Sequence, residues 1–393
     1  MVARIEVIIK NGIRDALGDS LKKRIIEDLC INVESVRIIE VFTIDAALSS
    51  REIMHLGEKL FSDPVIQHYS DKPLARDFTW IIEVGFRPGV TDNAGATAKK
   101  ACEDVLKTTL KGVYSSKQYL IRGNIKREEV EKIAGGLLAN SLIERWIITS
   151  IEEWDRDKGI ALPIPAVAGK HKPSVSEINL EAGDEELMEI SQRRLLALNL
   201  PEMKAIRKYF EKGSRSEREK KGLTMPTDVE IEVLAQTWSE HCKHKIFNSK
   251  ITYKDEKETK TINSLFNTFI RRATMEINKL WLVSVFSDNA GAIRFNDNHN
   301  LVMKVETHNT PSALDPYGGA ITGIVGVNRD PLGTGMGARL ILNTDVFCFA
   351  SPFYDKELPP RLFHPKRVFE GVRRGVEHGG NKSGIPTVNG CIV

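Results

Sequence analysis

Residues 301–339 read LVMKVETHNTPSALDPYGGAITGIVGVNRDPLGTGMGAR. The alternation at the start of this stretch predicts a strand over Leu301–Glu306, with Lys304 and Glu306 on the same face. A cation and a carboxylate that share one face form a surface suited to phosphate and to a metal ion. The stretch therefore predicts a phosphate and magnesium site.

Polar, titratable residues follow each apolar run of this stretch. The segment Thr307–Ser312 comes directly after the predicted strand, and Asn328–Pro331 follows the apolar run Ile321–Val327. Rigid elements commonly present reactive side chains on the segments at their ends. We therefore expect these polar residues to lie at the ends of strands.

A glycine-rich segment closes the stretch. Gly333–Ala338 has the glycine spacing of a dinucleotide-binding fingerprint. That fingerprint needs a helix immediately after the glycines, whereas Arg339–Thr344 is typical of a strand. The segment is better interpreted as a loop whose backbone approaches a phosphate closely, since glycine has no side chain to prevent it.

Composition indicates an ordinary soluble protein. The chain has 393 residues, is 41% hydrophobic, and carries 56 basic against 53 acidic residues, a net charge of +3. This length predicts two or three domains. The balanced charge gives no case for binding nucleic acid or a membrane surface.

Cysteine usage predicts a reducing compartment. The cysteines are odd in number and form no CxxC pair, and the chain starts with neither a signal peptide nor a membrane-spanning apolar run. We therefore expect a cytoplasmic protein. The five cysteines are Cys30, Cys102, Cys242, Cys348 and Cys391.

The first part of the chain contains an internal repeat. Lys10–Gly18 is echoed by Arg87–Gly95: a basic residue, a glycine turn, an aspartate and a second glycine recur at the same spacing. Each copy predicts a strand before it and a lysine-bearing helix and second strand after it, and two such units would pair edge to edge into one α+β layer. The lysines Lys22, Lys23, Lys99 and Lys100 could bind phosphate or form a solvated helix face. The predicted strands are Ile5–Ile9, Val36–Ile44, Trp80–Phe86 and Tyr119–Ile121, and the predicted helices are 19–29 and 96–106.

A change in composition marks a linker after the repeat. Residues 155–177 are rich in proline, glycine and lysine and predict an extended segment. Helices are predicted over Asp184–Leu198 and Met203–Phe210, and a solvated loop over Ser214–Gly222.

Histidines lie near a well-marked helix start. Thr227 and Glu230 form a capping box, and the spacing of the residues that follow predicts one helix with His241 and His244 on a shared face. A metal site that includes Cys242 is disfavoured, because its side chain points off that face and no second ligand cluster exists. Further along, residues 262–280 predict a helix and Trp281–Phe286 a buried strand.

Four motifs together resemble a known family. They are Thr237–Lys245 (TWSEHCKHK), Lys304–Gly319 (KVETHNTPSALDPYGG), Gly326–Pro331 (GVNRDP) and Gly384–Gly390 (GIPTVNG). The chain resembles phosphoribosylformylglycinamidine synthase, the amidotransferase of the purine pathway. The repeat resembles that enzyme's small structural subunit, fused in front as in the large single-chain form.

The resemblance implies an α+β fold in three parts. Residues 1–154 would form a duplicated strand–helix domain, and 155–225 a helical linker. Residues 226–393 would form a mixed α/β domain like the N-terminal domain of the aminoimidazole ribonucleotide synthetase superfamily.

The resemblance also implies a reaction and roles for residues. ATP would activate the amide oxygen of formylglycinamide ribonucleotide as an iminophosphate, and ammonia from glutamine would displace phosphate. Lysine, carboxylates and magnesium suit phosphoryl transfer, and a neutral histidine can take a proton from ammonia. Matched by position, the catalytic residues are His241 and His308; the ATP contacts His244 and Lys304; the magnesium ligands Glu306 and Asp330; and the substrate contacts Thr307, His308, Asn309, Thr310 and Arg329.

The chain departs from the family where it stops. Neither a second synthetase half nor a glutaminase domain is present, and no cysteine resembles a glutaminase nucleophile, so we expect a fragment whose partners supply both. The alternative is a non-catalytic binding and assembly module of that enzyme. Aminoimidazole ribonucleotide synthetase or thiamine monophosphate kinase fits less well, because the motif from Thr307 to Gly319 and the fused repeat do not suit either.

Overall fold

The computed structural model describes residues 2–160, 162–167, 174–212, 218–220, 222–360 and 362–393. The chain forms two compact units. Unit 1 is Met1–Ala168 with Glu306–Arg329 and Arg339–Val393, and unit 2 is Gly169–Val305 with Asp330–Ala338. Parts of the expected linker (161 and 168–173) and of the expected loop (214–217 and 221) lie outside the described residues.

Unit 1 is built on a six-stranded antiparallel sheet with the strand order β3-β1-β2-β5-β4-β6. Read outward from the centre of the sheet, the order is the same in both copies of the repeat, because β1, β2 and β3 correspond to β4, β5 and β6. The copies join through β2 and β5, which pair along ten residues from Ser35↔Arg122 to Ile44↔Val113. This confirms the predicted edge-to-edge joining. The strands are β1 Ala3–Ile9, β2 Ser35–Ile44, β3 Gln67–Ser70, β4 Trp80–Phe86, β5 Val113–Arg122 and β6 Glu144–Ser150.

The repeated aspartate and glycine hold each helix against its following strand. Asp15 caps the first helix by accepting from the Gly18 amide at 2.8 Å and also accepts from the Ile38 amide of β2. A Cβ on Gly18 would lie 2.3 Å from the Val36 carbonyl oxygen, so only glycine permits this close approach. Asp92 and Gly95 repeat the arrangement with β5.

Helices cover one face of this sheet. They are α1 Ala16–Leu29, α2 Ser50–Leu56, α3 Asn93–Leu106 and α4 Arg127–Ile133; α2 and α4 each continue into one π-helical turn, Gly57–Phe61 and Ala134–Leu138. Two apolar clusters fill the space between the helices and this face of the sheet. A third cluster, which includes Phe78 and Ile160, lies on the opposite face of the sheet. The lysines of the predicted basic face make ordinary local contacts: Lys22 donates to the Glu34 carbonyl, and Lys23 and Lys99 pair with glutamates four residues on.

Unit 2 contains the helical linker. Its helices are α5 Asp184–Arg193, α6 Leu200–Lys212 and α7 Asp228–Thr237, and they share one buried apolar cluster. The capping box of Thr227 and Glu230 is present. The helix predicted over Asp184–Leu198 ends early, because Leu195 and Ala197 have positive φ.

The prediction of one continuous helix that carries His241 and His244 is wrong. Helix α7 ends at Thr237, Ser239 then caps a separate turn, α8 Glu240–Lys243, by accepting from the Cys242 amide, and His244 has φ 50°. His241 and His244 therefore do not share a helix face.

The rest of unit 2 is mostly strand. The predicted helix over 262–280 is wrong in its first part, since β7 Lys250–Lys254 and β8 Thr259–Asn263 form a hairpin. Helix begins only at the π-turn Phe266–Arg271, which continues into α9 Arg272–Ile277. The strand expected over Trp281–Phe286 is short and half exposed: β9 Leu282–Ser284 pairs with β10 Gly291–Arg294, which pairs with β11 Asn300–Met303.

Most of the stretch 301–339 forms helices rather than the expected strands. Strand β11 ends at Met303, before Lys304, and the apolar run Ile321–Val327 lies inside a long helix. The polar residues Asn328–Pro331 therefore continue a helix instead of ending a strand, and the strand expected over Arg339–Thr344 begins only at Asn343. The helices are α10 Asn309–Leu314, α11 Pro316–Gly333 and α12 Pro365–Ser383; β12 Asn343–Phe347 and β13 Thr387–Ile392 pair in parallel.

Within the described residues, no helix has the length and apolar character to cross a membrane.

Candidate functional site

His308 lies at the start of α10 and packs against α11. A Cβ on Gly323 would lie 3.1 Å from the Cβ of His308, so this glycine makes room for the imidazole. The Nδ1 atom of His308 is buried and has no hydrogen-bond partner among the residues that the structure describes. Leaving a buried polar atom unpaired costs about 1–3 kcal/mol, so this atom is a candidate for binding a ligand group.

The Glu306 side chain lies beside the next turn of α11. A Cβ on Gly326 would lie 3.9 Å from the Glu306 carboxyl carbon, three residues beyond the glycine that faces His308. Residues three apart lie on the same side of a helix, so His308 and Glu306 lie along one side of α11. Glu306 is exposed, as are Thr307, Asn309, Thr310 and Arg329.

Lys304 and Asp330, in unit 2, form an ion pair. The Lys304 Nζ lies 2.7 Å from the Asp330 Oδ2, and the two side chains are only 21% and 11% exposed. The sequence predicted separate contacts to nucleotide and metal for these residues. The structure brings the two side chains together, with the shelter from water that strengthens an ion pair.

His241 and His244 are exposed, each on or beside the short α8. Their neighbour Glu240 accepts from the Ile246 and Phe247 amides and so fixes the turn after them. The structure thus presents both imidazoles at the surface of unit 2 without a shared helix face.

The donor set fits magnesium in one specific way. Among the residues that the structure describes, no group of three or more histidine, cysteine, aspartate or glutamate side chains is placed to hold a metal ion. Magnesium bound with nucleotide needs no such cage, since one or two carboxylates together with phosphate oxygens and water complete its shell. Glu306, in unit 1, and Asp330, in unit 2, each carry a carboxylate, the type of protein ligand that such a site uses.

Sequence reasoning missed α12 and its contact with α11. Glycines at four-residue spacing lie along the contact: a Cβ on Gly371, Gly375 or Gly379 would lie 2.5 to 3.1 Å from atoms of Pro316, Ala320, Tyr317 or Ile324. Pro365 at the helix start, this glycine spacing and Gly384 at the C-cap were the available signals.

Asn328 was also missed as a separate feature. It is 5% exposed, and its Nδ2 atom has no hydrogen-bond partner within the described part of the chain. It falls four and eight residues after Ile324 and Ala320. Helix geometry places it about 140° around α11 from Gly323, on the side that faces α12 rather than His308.

Known protein families match this chain in three consecutive regions. Three family models match: "Phosphoribosylformylglycinamidine (FGAM) synthase" over residues 2–72 and 79–152, "Formylglycinamide ribonucleotide amidotransferase linker domain" over 187–245, and "AIR synthase related protein, N-terminal domain" over 287–393. The three matches follow one another along the chain and together support a part of phosphoribosylformylglycinamidine synthase. The matches confirm the predicted α+β class with a final part like an aminoimidazole ribonucleotide synthetase N-terminal domain.

Curated relatives agree with this family. The chain is 35% identical over 215 residues to phosphoribosylformylglycinamidine synthase subunit PurL of Thermoplasma volcanium and 37% identical over 212 residues to that of Thermoplasma acidophilum. Each match covers 54% of this chain and 24% of the relative. The PurL subunit of Picrophilus torridus is 35% identical over 197 residues, 50% of this chain and 22% of the relative. The chain thus spans about a quarter of the length of the curated relatives it matches.

Proposed function

We propose that this chain carries part of the ATP-dependent synthetase site of phosphoribosylformylglycinamidine synthase. Its reaction is the conversion of formylglycinamide ribonucleotide to the amidine with ammonia derived from glutamine, a ligase reaction of purine biosynthesis that we expect in the cytoplasm. The observation that carries the proposal is the buried, unpartnered Nδ1 of His308 within the family motif.

His308 is the proposed proton acceptor for the incoming ammonia, and His241 is the second catalytic histidine. A positioned imidazole contributes about 100- to 10,000-fold to such a step. Substrate contacts come from His308, Arg329 and the hydroxyl and amide groups beside them. These polar neighbours are Thr307, Asn309 and Thr310.

Lys304 and His244 are the proposed contacts to ATP. In phosphoryl transfer, the protein mainly positions groups and neutralises charge, and the Nζ of Lys304 supplies a fixed positive charge. Glu306 and Asp330 would hold Mg²⁺, which neutralises phosphate charge when it is bound. Asp330 already orients Lys304 through their ion pair.

Ammonia must come from a partner in this proposal. Burial raises the pKa of Cys102 to about 11, so its thiol is protonated at neutral pH. Cys30, Cys242, Cys348 and Cys391 are exposed, and none follows the strand–turn–helix setting of an activated nucleophile. We therefore propose a glutaminase and a second synthetase half, in the same chain or as separate subunits, as the partners.

The test is substrate binding by the chain as it stands. Formylglycinamide ribonucleotide would be titrated into the wild-type chain, Arg329→Met and the control His55→Gln, with calorimetry as the readout. His55 is exposed at the end of α2 and outside the motif. We expect binding by wild type and control, and a loss of at least tenfold in affinity for Arg329→Met. Equal affinity in all three proteins would contradict the proposed substrate site.

A second experiment separates this function from the alternative of a non-catalytic assembly module. The chain would be mixed with a glutaminase and second synthetase half from a family member, and ADP and amidine would be followed with glutamine or ammonium chloride. We expect the chain alone to make no amidine from glutamine. Amidine formed from glutamine by the chain alone would contradict the need for partners, and no amidine in any mixture would favour the assembly module.

A further inference from the structure

Arg367, in the first turn of α12, contacts the duplicated domain through a set of backbone carbonyls. Its Nη1 donates to the carbonyl oxygens of Gly135 and Gly136, both at 2.8 Å, and its Nη2 donates to that of Ala139 at 2.7 Å. These carbonyls belong to the π-turn after α4 and its end. The guanidinium also lies over the Phe363 ring, 4.3 Å from its centroid.

A planar guanidinium suits this position because it presents several donors in a fixed fork. Carbonyls at a helix end lack partners within the helix and carry partial negative charge. Three of them converge on one cation here, which fixes the side chain in direction as well as in distance.

Two further contacts surround Arg367. Lys366 pairs with Asp28 of α1, and the Asn140 side-chain amide donates to the Leu314 carbonyl of α10 at 3.0 Å. Burial lowers the pKa of Arg367, while the nearby Glu144 charge acts to raise it. Burial likewise raises the pKa of Glu144. The contact is therefore sheltered from water and consists mainly of polar groups.

Helix α12, held in this way, packs closely against α11. A Cβ on Gly375 would lie 2.6 Å from the Tyr317 carbonyl oxygen and 2.7 Å from the Ala320 Cβ, so the two helix backbones lie in close contact. Close packing of this kind transmits displacement rather than absorbing it. An adjacent side of α11 packs against His308 through Gly323, which lies about 60° around the helix from Ala320.

We propose that Arg367 is a positioning residue that fixes α12 on the duplicated domain and, through α11, fixes His308. The proposal rests on the proposed function only for the role of His308. A purely stabilising contact would lower the stability of the whole unit without a specific effect on α10 and α11. The local effect is therefore the quantity to measure.

The experiment compares Arg367→Met with Arg373→Met in the full chain. Arg373 lies on the same helix and, in the part of the chain that the structure describes, its ion pairs are with Glu370 and Glu377 at the surface, so it is a matched control. Amide hydrogen exchange and the imidazole NMR signal of His308, assigned by its loss in His308→Gln, are the readouts. For Arg367→Met we expect exchange in residues 309–330 to rise about tenfold or more, a shifted His308 signal and unchanged exchange in β2 and β5. Arg373→Met should match the wild type.

Arg367→Lys extends the test. It keeps the charge but not the fork, so exchange in 309–330 should rise by less than in Arg367→Met; this variant also replaces Arg367→Met if that protein does not fold. Unchanged exchange at 309–330, or a rise of equal size throughout unit 1, would overturn the proposal. Because no substrate is present, either result is independent of whether the chain binds formylglycinamide ribonucleotide.

Discussion

His308 is the residue on which the proposed chemistry depends most. Its buried Nδ1 has no hydrogen-bond partner in the described ranges of the chain, so the imidazole can accept or donate at that atom when a ligand is bound. Replacement by glutamine keeps a polar side chain of similar size but removes the base. In the enzyme assembled with the proposed partners, we expect His308→Gln to lower the rate by about 100-fold or more while substrate affinity stays within a few-fold. Steady-state kinetics would measure both, and an unchanged rate would remove His308 from the mechanism.

The Lys304–Asp330 pair contributes to stability as well as to the proposed site. Its side chains are 21% and 11% exposed, so replacing one partner removes an ion pair that is sheltered from water. We expect Lys304→Met to lower the free energy of unfolding by about 1–3 kcal/mol, between the values for exposed and for buried pairs. The double variant Lys304→Met/Asp330→Asn should lose less than the sum of the two single variants. Urea unfolding would test this, and strictly additive losses would show that the pair is not coupled.

Glu230 gives a pH dependence whose sign follows from its surroundings. The Arg218 guanidinium lowers the pKa of this carboxyl to about 2, helped by hydrogen bonds from Thr227. A lowered pKa in the folded state stabilises the fold above the unfolded value of about 4.3, and this is lost as the pH falls toward 2. We expect Glu230→Gln, which keeps the capping box, to lose less stability than the wild type between pH 5 and about 2. Melting temperatures across that range would measure it; equal slopes would contradict the assignment.

At the scale of elements, the contact between α11 and α12 depends on glycines. Alanine at position 375 would place its Cβ 2.6 Å from the Tyr317 carbonyl oxygen, and overpacking of this kind costs about 1–3 kcal/mol. Gly380 lies on the same helix, but its Cβ would meet nothing nearer than the Ile385 carbonyl oxygen at 3.6 Å. We expect Gly375→Ala to destabilise and Gly380→Ala to be neutral or to stabilise by up to about 1 kcal/mol through helix propensity. Thermal unfolding of both variants would check this, and equal effects would contradict the close approach.

Elements could be predicted where one local signal was strong. The local geometry is determined within a few residues at two kinds of motif. These are the capping box of Thr227 and Glu230 and the paired motifs at Asp15 and Asp92. The apolar run Ile321–Val327 did not, because a short apolar run has no period that separates strand from helix. The break after Thr237 was missed because Ser239 acts as a cap inside an otherwise continuous helical pattern.

For the whole molecule, the sequence predicted the sheet of unit 1 through its repeat but not the contacts between distant segments. Arg367 and Gly135 are more than 200 residues apart, and nothing local marks either as a partner of the other. The same holds for the candidate site: the motif supplied its residues, while the orphaned atom of His308 and the Lys304–Asp330 pair depend on tertiary contacts. The predicted domain limits stay a prediction.

Packing is uneven along the chain, and this predicts an order of local unfolding. The sheet of unit 1 buries Ile39, Val41 and Ile121 completely, whereas the segments 246–305 and 336–362 expose large apolar side chains such as Leu280 at 95% and Phe353 at 89%. Local opening needs little free energy where few apolar contacts are lost. We expect amide exchange to be slowest in β2 and β5 and at least 100-fold faster in β7 through β11. Mass spectrometry of labelled peptides would measure this order, and equal protection in the two regions would show that the chain unfolds as one cooperative unit instead.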